Sequence, residues 1–380
     1  MPTLNSCQHP HLRGVYDCVE FNEPWGLPLS ERTLAQALRM ADYETDICGK
    51  WHLGSFQPDY LPTRRGFDHQ YGHWLGAIDY YKHTFENQPD WHCEDQPIQE
   101  QGYATHLIAN EACRLIRAKP ADKPLLLYVP FNGVHGPFMS PDQYQAPYVK
   151  LTRVRRIYAG MVAAVDEAVG QIVTTLKAQG LADNTLLSFS SDNGGPLPVQ
   201  VTSNGPLRGG KNTIYEGGVR VCAFATWPGQ IPGGQRIQEP LHIVDWYPTL
   251  IKLAGGSLKQ PLPLDGRDIW PVLTQAAKSP REALFIPGNR PDQAALRMGD
   301  WKLLVNPRDL ADDGVHERPT DPGVELFNLS TDISEKQNVA AQHPEKVKEL
   351  QAKIAPWLES AVADDLKKMA PDAHGNDEVK

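Results

Sequence analysis

Four short polar clusters in the 380-residue chain carry side chains able to handle a charged group, and each follows an apolar run. In Gly49-Lys50-Trp51-His52-Leu53-Gly54, Lys50 and His52 stand two apart, so an extended turn projects both to the same side. An ammonium point charge and an imidazole there suit a tetrahedral oxyanion and its leaving group, although a solvated loop is the plainer reading. In Asn132-Gly133-Val134-His135-Gly136-Pro137-Phe138, the Gly-Pro after His135 cannot continue a sheet. His135 is therefore expected at a strand end, as a hydrogen-bonded structural histidine or as a functional one. In Ser190-Ser191-Asp192-Asn193-Gly194-Gly195, Asp192 and Asn193 offer a carboxylate and a neutral carbonyl oxygen, the hard donors that Ca²⁺ or Mg²⁺ takes. An ordinary Asx turn reads the same way. In Asn204-Gly205-Pro206-Leu207-Arg208-Gly209-Gly210-Lys211, glycines around Arg208 and Lys211 let the backbone approach an anion closely. No Lys-Ser/Thr pair opens a helix there, so this is not a P-loop.

The elements that must position these clusters are legible from periodicity. Residues 33–40 have helical apolar spacing after Ser30, a candidate cap, and Tyr43–Cys48 reads as a strand running into the first cluster. Residues 124–131 form a continuous apolar run, expected of a strand buried on both faces. A long amphipathic helix is predicted from Ile157 to Leu181, ending at Gly180, and residues 185–190 and 219–226 read as two further buried strands. Strand, helix, strand in this order predicts an α/β fold, a mostly parallel central sheet flanked by helices. After about Lys278 the texture changes. Residues 294–305 read as a hairpin around Gly299-Asp300, followed by Leu326-Phe327-Asn328-Leu329 and an amphipathic helix from about Pro344 to Ala361. The expected division is an α/β core over 1–278, a C-terminal antiparallel sheet with one helix over 279–361, and a polar tail over 362–380.

Composition narrows the function classes. Lys plus Arg number 37 against 46 Asp plus Glu, a net charge of −9, which lacks the basic footprint of a nucleic-acid coat. No run approaches the roughly 18 uninterrupted apolar residues of a membrane span. The first thirty residues show no charged region followed by an apolar one, so a cytoplasmic location is expected of the chain as given. Six cysteines (Cys7, Cys18, Cys48, Cys93, Cys113, Cys222) are scattered without CxxC pairs, which suits idle thiols better than a disulfide framework.

Taken in order, GKWHLG (49–54), PTRRGFD (62–68), VHGPF (134–138), YAGMVAAVDEAVG (158–170), SDNGG (191–195), PLRGGK (206–211), EGGVRV (216–221) and HIVDWYPTL (242–250) resemble the type I sulfatases. These are formylglycine-dependent hydrolases of the alkaline phosphatase superfamily. The likeness continues through LDGRD (264–268) and the MGDWKLL hairpin to ELFNLS (325–330). PTRRGFD and Asp79-Tyr80-Tyr81-Lys82-His83 carry a narrower likeness to the arylsulfatase B type, which acts on N-acetylgalactosamine 4-sulfate. The resemblance implies roles residue by residue. Asp192 and Asn193 match a late pair of Ca²⁺ ligands, Lys50 a lysine on the sulfate, and His52 a histidine assisting the formylglycine diol. His135 and Lys211 match the pair that holds the sulfate and protonates the leaving oxygen. Arg208, in the same loop, is a candidate substrate contact.

The family also carries an Asp-Asp pair on its first strand and a Cys-x-Pro/Ser-x-Arg segment whose cysteine becomes formylglycine. Neither occurs here, and Cys7 is followed instead by Gln8-His9-Pro10-His11. The expectation is hydrolysis of a sulfate monoester, aryl or sugar, to alcohol and sulfate without formylglycine. Water or a side chain would attack sulfur while Lys50, Lys211 and His135 stabilise the developing charge. A phosphomonoesterase or phosphodiesterase of the same superfamily, a non-catalytic binder of sulfated ligands and a truncated product remain alternatives. A divalent cation, Ca²⁺ foremost, is expected at Asp192 and Asn193 with an incomplete ligand set. Cys7, His9 and His11 form a weaker candidate for Zn²⁺. An open sheet edge covered by a second copy predicts a homo-oligomer, with no nucleic acid or membrane as partner.

Overall fold

The structure, a computed structural model, describes residues 23–197, 200–310, 317–319 and 323–360. Cys7, His9, His11 and the polar tail lie outside the described residues. Thr33, not Ser30, caps the first helix, α1 (Leu34–Arg39). Its side chain accepts from the Gln36 N–H while the Gln36 side chain returns to the Thr33 N–H. Thr33 wins because a glutamine stands three residues on, completing the reciprocal box.

Strand β1 (Glu44–Lys50) lies parallel to β2 (His69–His73) on one side. The two-residue strands β3 (His92–Cys93) and β4 (Gln96–Pro97) extend this side antiparallel. Helix α2 (Ala104–Ala118) leads to β5 (Leu125–Tyr128), which lies parallel to β1 on its other side. The sheet order is β4-β3-β2-β1-β5, so the parallel expectation holds for β2, β1 and β5 and fails at the β3–β4 hairpin. Tyr128 and Leu126 pack with α1 and β1 residues on one face, and Leu127 meets α2 on the other.

Helix α3 (Arg153–Ala178) begins four residues before the predicted start, and Gly180 follows it at φ 66°. By length and hydropathy it is the one helix among the described residues able to cross a bilayer. Gly160, Met161, Ala164, Ala168, Ile172 and Thr175 nevertheless bury one of its faces, partly against α2. The strands β6 (Leu187–Ser190) and β7 (Ala223–Thr226) correct the sequence reading. They pair antiparallel with each other rather than joining the five-stranded sheet, and both are largely solvent-accessible. Their apolar runs cover each other instead, with Phe189 stacked on Phe224 at 5.1 Å.

Helix α4 (Trp246–Leu253) packs on α1 through Tyr247 and Ile251. The C-terminal sheet follows: β8 (Leu284–Pro287), β9 (Ala294–Met298), β10 (Trp301–Val305) and β11 (Val324–Asn328), all antiparallel in chain order. Alternation assigns its faces. Ala294, Leu296, Leu303 and Leu326 meet Leu350 and Ile354 of α5 (Pro344–Glu359), while Ala295, Leu304 and Phe327 meet Ile214 and Tyr215 of the core. Lys302, fully buried at this junction, lies 2.9 Å from both Glu216 and Glu335 carboxylates.

Candidate active site

Lys50 ends β1 and pairs in register with His73, the last residue of β2. The backbone then turns: the His52 N–H donates to Trp74 O at 2.8 Å, and His52 takes φ 55°. Gly76 packs against the His52 ring, since a Cβ there would fall 2.5 Å from Cε1. Burial first, then the Lys50 ammonium and the His73 and His135 rings, lowers the His52 pKa to about 2. His52 is therefore a neutral imidazole throughout the physiological range.

The second cluster leaves β5. Its Pro130 carbonyl accepts from the Lys50 N–H at 2.8 Å, which binds the two strand ends together. The Tyr80 hydroxyl lies 2.9 Å from Asn132 O and 2.8 Å from His135 O, bracing the loop from below. His135 opens to solvent, and its Nδ1 lies 2.8 Å from Gly136 O. Its Nε2 lies 2.9 Å from Lys211 Nζ. A carbonyl only accepts and an ammonium only donates, so Nδ1 carries the proton and Nε2 takes the Lys211 hydrogen bond. Partial burial, the Lys211 ammonium and then Lys50 hold the His135 pKa below its ordinary value.

The third and fourth clusters are locked together by backbone. The Gly194 N–H donates to Gly218 O at 2.8 Å, and the Lys211 N–H to Gly195 O at 3.3 Å. The Asn204 side chain accepts from the Gly195 N–H and donates toward Gly195 O and Gly209 O. The chains pass so close that a Cβ on Gly194 would sit 1.7 Å from Gly217 O. Asp192 is exposed just beyond β6, and its charge acts on His135 and on the Tyr128 and Tyr158 rings. The Ser191 hydroxyl donates to Asn193 O at 2.9 Å and so holds the turn that carries Asp192. Asp192 and Asn193 offer two hard oxygens, part of the six to eight that Ca²⁺ takes. Among the described residues no group of three His, Cys, Asp or Glu side chains includes Asp192.

Lys50, His52, His135 and Lys211 thus converge, with Asp192 within electrostatic reach and Asn193 next to it in the turn. Arg208 does not join them. Its guanidinium lies 3.9 Å over the Tyr215 ring and bonds Glu335 O at 3.1 Å and Glu325 at 3.4 Å. It clamps the loop to the C-terminal sheet, which corrects its reading as a substrate contact. Spacing alone cannot tell which way a loop arginine faces.

Two residues escaped sequence reasoning. His73 is fully buried, donates from Nδ1 to Leu75 O (2.9 Å), and leaves Nε2 without a partner among the described residues. Burial and the Lys50 ammonium lower its pKa to about 3. Asn132 is 3% exposed, with both amide atoms unpartnered among the described residues. The signal for both was position at a strand end beside Lys50 or His135, which appears only after the register is known.

A cationic pair, two neutral imidazoles and an acidic turn gather at the strand ends, an arrangement suited to a tetrahedral dianion. The family model described as Sulfatase matches residues 1–257. Arylsulfatase J of Mus musculus is 33% identical over 391 residues, covering 91% of this chain and 65% of that protein. N-acetylgalactosamine-6-sulfatase of Rattus norvegicus is 33% identical, covering 77% of this chain and 57% of its own length. The chain therefore spans roughly three-fifths of these curated relatives. Among solved structures, Ps i-CgsB in complex with k-i-k-neocarrahexaose superposes with a TM-score of 0.86 at 28% identity, covering 96% of this chain and 82% of that one. A phosphonate monoester hydrolase from Silicibacter pomeroyi shares the fold at a TM-score of 0.62 and 18% identity. With the site, the fold and these matches in hand, the chain belongs to the sulfatase family.

Proposed function

We propose that this chain hydrolyses the sulfate monoester of a sulfated sugar to alcohol and sulfate. The observation that carries the reading is the 2.9 Å contact between Lys211 Nζ and His135 Nε2 beside Lys50. Lys50 and Lys211 place fixed positive charge where the sulfuryl oxygens gain negative charge. His135 is held neutral with its Nε2 lone pair toward Lys211, so the acidic proton of the pair is on the ammonium. As the ester bond breaks, this pair delivers that proton to the leaving oxygen. His52, neutral and packed on Gly76, offers a ring nitrogen as a hydrogen-bond partner to the attacking oxygen. Asp192 and Asn193 are the oxygen donors available to a divalent cation, Ca²⁺ foremost, which would add positive charge at the sulfate.

The expectation of a formylglycine-free attack concerns residues 1–22, outside the described residues, and plays no part in this reading. Charge stabilisation and leaving-group protonation fall to the same side chains whichever oxygen attacks. The sugar substrate is supported by the names of the similar proteins, one an N-acetylgalactosamine-6-sulfatase and one described with a neocarrahexaose. A second copy of the chain covering the free edge of β5, which pairs only with β1 among the described residues, belongs to the same proposal.

The test compares kcat/KM on an aryl sulfate and the matching aryl phosphate, in the wild type and in Lys211→Ala and His135→Ala. Each variant is expected to lower kcat on the sulfate by about 10²–10⁴-fold, the range for loss of acid–base help. Preference for the phosphate would reassign the chain to phosphoryl transfer. Sulfated-sugar binding without turnover would make it a binding protein.

A further inference from the structure

A second cluster of ligand-type side chains sits at the opposite end of β2, about 13 Å along the strand from His73. His69 Nδ1 lies 2.5 Å from Glu94 Oε1, and its Nε2 lies 2.8 Å from Glu111 Oε1 on α2. Cys93 joins them: the ligand atoms of His69, Cys93 and Glu94 all lie within 4.8 Å of one another. Neighbouring strand residues point to opposite faces, but Glu94 adopts φ 52° and its carboxylate comes back beside the Cys93 thiol.

The surroundings are those of a metal ligand set. Glu111 is itself held by Arg114 through two hydrogen bonds of 2.7 and 2.6 Å. A carboxylate on the far ring nitrogen is the usual way a metal-binding histidine is oriented and made more basic. Asp46 stands directly across the ladder from His69, only 2% exposed, and its Oδ1 has no hydrogen-bond partner among the described residues. Glu94 and Glu111 both contact His69, Glu111 pairs with Arg114, and the Gln70 N–H donates to Glu94 Oε2 at 3.3 Å. A histidinium between two carboxylates accounts for Glu94 and Glu111. It leaves the buried Asp46 oxygen and the converging thiol without a purpose.

We propose that His69 Nδ1, Cys93 Sγ and Glu94 Oε1 bind a Zn²⁺ ion, with the Asp46 carboxylate beside it as counter-charge. One nitrogen, one sulfur and one carboxylate oxygen suit a borderline-soft ion better than Ca²⁺ or Mg²⁺. Binding forms the Zn–N, Zn–S and Zn–O bonds and releases the Cys93 thiol proton and the His69 Nδ1 proton to solvent. The ion would staple β2 to the turn after β3 and, through Glu111, to α2. The site uses none of the residues placed in the candidate active site, so it stands or falls separately from the proposed activity.

The full chain, stripped with chelator and held in excess Ca²⁺ to saturate oxygen-donor sites, is titrated with Co²⁺ and then Zn²⁺. One equivalent of Co²⁺ should produce a thiolate-to-cobalt charge-transfer band that Zn²⁺ abolishes, and Zn²⁺ should raise Tm by a few degrees. Cys93→Ser should remove the band, His69→Ala should remove stoichiometric binding, and Glu111→Gln should weaken Zn²⁺ about 10–100-fold. Cys93 is partly exposed, so its serine variant is expected to fold, and circular dichroism checks it. Absence of a thiolate band in the wild type, or its survival in Cys93→Ser, overturns the proposal. So does Zn²⁺ affinity unchanged in Glu111→Gln.

Discussion

The histidines around Lys50 are kept neutral by position rather than by chemistry of their own. His73 illustrates the consequence for stability. Its ordinary pKa of 6.5 applies to the unfolded chain, whereas burial lowers the folded value to about 3. Above pH 6.5 neither state binds the proton. As pH falls below 6.5 the unfolded chain takes it up first, and folding loses about 1.4 kcal/mol per pH unit until the folded value is reached. His73→Asn should therefore lose less stability than the wild type between pH 7 and pH 5, by about 1–2 kcal/mol. Urea midpoints of the two proteins at both pH values check this, and parallel losses would refute it. Arg208 makes the complementary point, because its charge is spent on Tyr215, Glu325 and Glu335 rather than on substrate.

The loops at the strand ends work as braced elements. Tyr80 reaches from the Asp79–His83 segment to two carbonyls of the His135 loop. Tyr80→Phe removes both hydrogen bonds and leaves Asn132 O only the His135 N–H, at a cost of about 1 kcal/mol. The expected signature is a lower Tm with kcat on an aryl sulfate reduced several-fold and KM nearly unchanged. A shift in KM alone would indicate that Tyr80 does not position His135. Gly194 is the tighter constraint, since any side chain meets Gly217 O. Gly194→Ala must push the Asp192 turn away from the Lys211 loop, and a displacement of about 1 Å should lower kcat/KM on the order of 100-fold. Wild-type turnover in a folded variant would mean that the two loops tolerate separation.

For the molecule as a whole, the decisive joint is the buried triad of Lys302, Glu216 and Glu335 between the core and the C-terminal sheet. Lys302→Ala leaves Glu335 buried without its cation and Glu216 with only the Arg220 contact at 3.4 Å, and should cost about 3–5 kcal/mol by urea unfolding. Because Glu216 opens the helical turn after the Lys211 loop, kcat should fall along with stability. A variant as stable as the wild type would show that water enters the joint. Sedimentation tests the covered edge of β5, and a pure monomer at micromolar concentration would remove the second copy.

What the sequence by itself determined is local: the strand-then-cluster pattern, the long core helix, the Gly299-Asp300 hairpin and the motifs that mark a sulfatase. Each rests on periodicity, turn chemistry or backbone freedom, which act over a few residues. The tertiary structure alone decided that β6 and β7 pair with each other, that Arg208 turns away, and that His73 and Asn132 line the strand ends. It also brought His69, Cys93, Glu94 and Glu111 together across β2, β3 and α2. Those outcomes depend on strand register and on which face each element presents, and both are settled by packing between residues far apart in the chain.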